Sequence, residues 1–94
     1  MSVYVDDAVS LWRGHRWAHL MGDNLDELHA FARQLGLDRE RFQNQTSGAH
    51  YDIPAPLREE ALRLGALAIS RHRDRAQMRW VIRQAKAQGR GELP

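Results

Sequence analysis

The chain has 94 residues, enough for one domain with one hydrophobic core, in which only about two-thirds of the unfolded chain's surface is buried on folding. It contains no cysteine, which excludes a disulfide framework, thiolate catalysis and sulfur-ligated zinc, and no apolar run approaches the roughly 20 residues that cross a bilayer. Its formal charge of +2 hides an asymmetry: up to Ser70 seven arginines stand against ten carboxylates, whereas from Arg71 onward six arginines and Lys86 stand against only Asp74 and Glu92.

A mildly acidic body thus carries a basic tail. The start of the chain has no basic stretch followed by an apolar one, and with the lack of cysteine this gives the expectation of a soluble, cytoplasmic protein with no membrane partner. A core this small makes homo-oligomerisation a further expectation.

In chain order, Ser2 to Val5 is rich in β-branched and aromatic residues and stops at a carboxylate pair, so it reads as a short strand with Asp6 and Asp7 at its C-terminal end. Arg13-Gly14 reads as a loop, and Arg16 to Met21 as a second strand with Trp17, His19 and Met21 on one face and Arg16, Ala18 and Leu20 on the other. Asp23 or Asn24 caps a helix running to about Leu35, in which Leu25, Leu28, Ala32 and Leu35 recur at helical spacing before Gly36. Asp38 can cap one more turn through Phe42, and the polar stretch Gln43 to Ala49 reads as an exposed loop. His50 to Ile53 is extended; Pro54 and Pro56 favour a helix through Leu64 that ends at Gly65, and Ala66 to Ser70 is a further strand. Strands alternating with helices predict an α/β sandwich: a short, partly parallel sheet with about three helices, all in one domain.

The last expected element is a basic amphipathic helix from about Asp74 to Gln88. At 100° per residue Met78, Val81, Ile82 and Ala85 form an apolar arc, and Arg75, Arg79, Arg83, Lys86 and Arg90 an adjoining cationic stripe. Such a stripe suits a phosphate backbone, with Trp80 placed to stack on a base. The plainer alternative is a solvated face with Trp80 packed at a core or subunit edge.

Asp6 after one strand, His19 in the next and the pair His50 and Asp52 in a third can converge although they lie far apart in sequence. Because strand side chains alternate, an inward Tyr51 leaves His50 and Asp52 on one side together. Oxygen and imidazole donors of this kind suit Mg²⁺, Mn²⁺ or Zn²⁺, which can activate water toward a phosphate ester; without a metal, a His beside an Asp can act as a general base. None of the spacings is a recognised ligand signature, so the cofactor stays open. The local alternatives are that Asp6 or Asp7 caps a turn, His19 hydrogen-bonds within the sheet and Asp52 caps the following helix. His29 borders the apolar stripe of its helix, Trp17 suits the core, and Trp12, Arg13, His15 and Arg16 can form an aromatic and cationic lip.

The ordered blocks Val3-Tyr4-Val5-Asp6-Asp7, Gly14 with Trp17, His19 and Leu20, Glu27-Leu28-His29 with Phe31 and Ala32, Gly36-Leu37, Phe42-Gln43, His50-Tyr51-Asp52, and Arg58 with Ala61, Gly65 and Ala66 carry a resemblance. Over residues 3 to 70 the chain resembles the short bacterial and phage family called domain of unknown function 4031. That resemblance implies a compact intracellular domain whose motif residues include Asp6, Asp7, His19, His29, His50 and Asp52, and it brings no activity or cofactor with it.

Two main functional readings follow. In the first, a nucleotide- or nucleic-acid-binding module uses Asp7, Tyr51, Arg75, Arg79, Trp80, Arg83 and Lys86 beside the polar cluster. In the second, a small metal-assisted phosphoesterase or nuclease works through Asp6, His19, His50 and Asp52. A protein-interaction domain without a catalytic site is the remaining alternative.

Overall fold

The computed structural model describes residues 2–8, 10–45, 48–70, 79–81 and 83. Strand β1 (Val3–Val5) is followed by β2 (Ser10–Trp12), β3 (His15–Gly22), helix α1 (Leu25–Gln34), a single 3₁₀ turn at Arg39–Arg41, β4 (Phe42–Gln45), β5 (Gly48–Pro54), helix α2 (Ala55–Arg63) and β6 (Leu67–Ala68). The strands form one sheet in the order β4-β5-β3-β1-β6, with β2 also paired to β3. All pairs are antiparallel except β1 with β6. Because β5 runs in the direction of β1 and β6, α2 is a crossover that carries the chain past β3 and β1.

Local chemistry explains the element ends. Asn24, extended at φ −133°, accepts the Glu27 N–H through its side chain at 3.0 Å and caps α1, while Asp23 instead accepts the Ser2 N–H at 2.9 Å. After α1, Gly36 at φ 81° takes the left-handed conformation that ends the helix. The β2–β3 hairpin turns on Arg13 and Gly14, both at positive φ (49° and 77°), as a two-residue loop joining right-twisted strands requires.

The two sheet faces bury different sets. Val3 and Val5, Ala18 and Leu20, and Ala49, Tyr51 and Ile53 point to one side, where Leu25, Leu28 and Ala32 of α1 and Ala61 of α2 close over them. Full burial of each larger apolar side chain contributes about 1.5–3 kcal/mol, so this layer holds the fold. The opposite side carries Tyr4 and Met21, packed with Ile69 and Val81. Arg79, Trp80, Val81 and Arg83 are helical, with Val81 buried and Arg79, Trp80 and Arg83 exposed. Arg75, Lys86 and the rest of the expected basic helix lie outside the described residues.

Two expectations are corrected and one strand is added. Phe42 to Gln45 is a strand paired with β5, not part of an exposed loop. It is the outermost strand, and an edge can carry polar residues such as Gln43 because only its inner face must be apolar. Ser10 to Trp12 adds a strand between the expected elements. The final strand shrinks to Leu67–Ala68, both exposed at the other sheet edge.

Candidate metal centre

The centre forms where β1 stops. Register pairs Val5 with Leu20, so Asp6 comes opposite His19, and the Asp6 N–H still donates to the His19 carbonyl at 3.2 Å. The return bond is not made by the Asp6 carbonyl, which accepts Arg58 Nε–H at 2.7 Å; Asp6 Oδ1 replaces it, accepting the His19 N–H at 2.6 Å. Anchored in this way, the carboxylate sets Oδ2 2.7 Å from His19 Nδ1, with the Asp6 side chain only 1 % exposed. A carboxylate can only accept, so the Nδ1 it faces carries the proton, and in a neutral ring the lone pair is then on Nε2, on the side of Asp52.

Opposite His19 in β5 stands Asp52, and opposite His50 in β4 stands Gln43. Side-chain alternation puts all four on the face away from α1 and α2. His19 Nε2 lies 3.5 Å from Asp52 Oδ1, and His50 Nε2 lies 3.3 Å from the same oxygen. The two imidazoles meet edge to face, with centroids 4.7 Å apart and planes at 89°. Gln43 Nε2 donates to Asp52 Oδ2 at 2.5 Å, which holds the carboxylate so that Oδ1 faces the rings.

One ligand atom from each of His19, His50 and Asp52 lies within 4.8 Å of the others. A tetrahedral zinc bonded at about 2.0–2.1 Å to each donor sets donors about 3.4 Å apart, close to both imidazole–carboxylate separations. Asp6 behind His19 and Gln43 behind Asp52 supply the outer hydrogen bonds that metal ligands characteristically have. Three protein donors would leave a fourth position of a tetrahedral ion open, whereas structural zinc is held by four protein ligands.

The remaining expected site residues fall elsewhere. Asp7 is half-buried beyond the end of β1. Tyr51 is fully buried on the opposite sheet face, where its hydroxyl lies 2.8 Å from His29 Nδ1, so it does not meet His50 and Asp52. It borders a separate cavity of about 680 Å³ with Asp26, His29, Arg33, Leu37, Asp38 and Arg39. Asp52 does not cap α2, whose N-cap is Pro54 with no side-chain bond. Trp17 is half-buried rather than part of the core, and a shallow pocket lined by Trp12, Trp17, His19 and Asp52 opens beside the cluster.

Gln43 is the site residue that the sequence alone did not point to, because a polar edge strand is made extended by its pairing partner and carries no local signal of its own. For the β2–β3 hairpin the one local cue was Gly14 between two short runs that hold tryptophans.

Fold and site together define a small α/β domain with a mixed sheet and a His₂Asp cluster on its second face. The chain belongs to the family described as Protein of unknown function (DUF4031), whose model matches residues 3–81. The match runs beyond Ser70 and takes in Arg79, Trp80 and Val81. No curated protein and no solved structure matches the chain. No helix among the described residues is long and apolar enough to cross a membrane.

Proposed function

We propose that the domain binds a divalent transition metal, zinc by preference, through His19 Nε2, His50 Nε2 and Asp52 Oδ1, and uses it to hydrolyse a phosphate ester. The observation that carries this reading is the set of three converging donors with Asp6 on the far nitrogen of His19. A metal held by these three donors would supply Lewis-acid chemistry, polarising a phosphoryl oxygen and lowering the pKa of a water; the net reaction would be addition of water across the ester P–O bond, giving the phosphate and the free alcohol. Asp6 and Gln43 keep the donors aimed throughout.

The test combines zinc titration by calorimetry with turnover of bis(p-nitrophenyl) phosphate. Stoichiometric binding and metal-dependent release of nitrophenol are expected, with both lost in His50→Ala while the metal-free melting temperature scarcely moves. A His50→Ala protein that binds zinc like the parent sinks the assignment.

A second reading, in which the chain holds nucleic acid, is supported by the helix that docks through Val81. That docking turns Arg79, Trp80 and Arg83 to solvent, with Trp80 47 % exposed, on the sheet face that also bears the cluster. Arg79 and Arg83 are one helical turn apart and so present two cations in line to a phosphate backbone.

A further inference from the structure

The β2–β3 hairpin holds an aromatic platform that neither metal binding nor the hydrophobic core requires. Trp12 is 57 % exposed, although burying a ring of that size would stabilise so small a domain. It is nevertheless held in place. The Trp17 indole N–H donates to the Trp12 carbonyl at 3.0 Å, the two rings meet edge to face with centroids 5.8 Å apart, and the Arg13 guanidinium lies 4.6 Å from the Trp12 ring centroid.

The platform is in line with the metal centre. His15, Trp17 and His19 alternate onto one face of β3, and Trp12 sits opposite His15 in the hairpin register. Trp17 and His19 are two residues apart, a rise of about 7 Å along a strand, which is similar to the separation of base and phosphate in a nucleotide. The pocket between them is lined by the two tryptophans, Trp12 and Trp17, and by two of the proposed metal donors, His19 and Asp52. A ligand filling it therefore presents an aromatic ring to the tryptophans and an anionic oxygen to the metal donors.

We infer that this pocket binds a nucleoside phosphate, with the base against Trp12 and Trp17, the phosphate at His19, His50 and Asp52, and Arg13 supplying a cation at the rim. The inference rests on the metal-centre reading for the phosphate end and on the tryptophan platform alone for the base end. Stacking on an aromatic side chain tolerates any base, so the pocket selects for the presence of a base more than for its identity.

The experiment compares adenosine monophosphate with ribose phosphate by calorimetry, on the full chain, with and without zinc. Adenosine monophosphate is expected to bind about tenfold more tightly than ribose phosphate, the scale of one base stacked on a tryptophan. In Trp12→Ala that ratio should fall toward unity while zinc binding is unchanged, and Trp12→Phe should restore part of it. Equal binding of the two probes by the parent protein overturns the inference even where zinc binds normally. Failure to bind zinc while the base preference persists in the metal-free protein overturns the metal centre and leaves the aromatic site standing.

Discussion

Oδ2 of Asp6 stands 2.7 Å from Nδ1 of His19, while Oδ1 of the same carboxylate accepts the His19 backbone N–H at 2.6 Å. One buried side chain thus completes a sheet ladder and sets the tautomer of an imidazole. Its position follows from a break: β1 ends at Val5, β2 begins at Ser10, and both pair with β3, so His19 falls in the gap between them.

Asp6→Asn separates these two roles. The amide oxygen can still accept the His19 N–H, but the amide N–H₂ then faces Nδ1 and favours the tautomer with its proton on Nε2, which cannot ligate. Zinc affinity should drop by about 10–100-fold, the usual cost of losing an outer partner of a metal ligand. Competition against a chromophoric chelator measures it, and an unchanged affinity would show that Asp6 does not orient the ring.

Gln43→Ala removes the donor that lies 2.5 Å from Asp52 Oδ2 and leaves all three proposed ligands intact. Zinc binding should weaken measurably yet less than in Asp52→Ala, where a ligand itself is removed. If the two variants bound zinc alike, the carboxylate would not be the ligand proposed.

Tyr51→Phe serves as the opposite-face control. It removes the 2.8 Å hydrogen bond between the hydroxyl and His29 Nδ1 beneath α1, on the sheet face opposite the cluster. A loss of about 0.5–1.5 kcal/mol is expected. For a domain of this size that lowers the melting temperature by roughly 4–8 °C per kcal/mol. Zinc affinity should stay at the parent value, and a fall there would mean that the two faces are coupled.

Replacing Arg79 and Arg83 with Gln probes the nucleic-acid reading. If these exposed side chains neutralise phosphates, retardation of single-stranded DNA at several salt concentrations should show the slope of log affinity against log salt flattening by about 0.7 for each arginine replaced. A parent slope near zero would remove the reading.

Elements governed by neighbours in sequence were legible before any coordinates. A cap at Asp23 or Asn24, the Leu25, Leu28 and Ala32 stripe and Gly36 define α1, with the structure choosing Asn24, and the alternation along Trp17 to Met21 defines the faces of β3. The pairing of His50 with Asp52 was legible for the same reason, since a period of two puts residues i and i+2 together. Polar Gln43 to Gln45 carried no local strand signal, because an edge strand takes its conformation from the partner it pairs with.

Alone, the amino-acid sequence determined α1 and α2, the strand faces and the residue types able to bind a cation, since capping, periodicity and donor chemistry act over a few residues. Tertiary structure decided that Asp6, His19 and Asp52 fall in one row from the end of β1 across β3 to β5, with Gln43 reaching it from β4. It also decided that Tyr51 faces away from that row and that Trp12 stands over its edge. Those are matters of strand order and register, and register is set by which apolar side chains the whole core can bury at once.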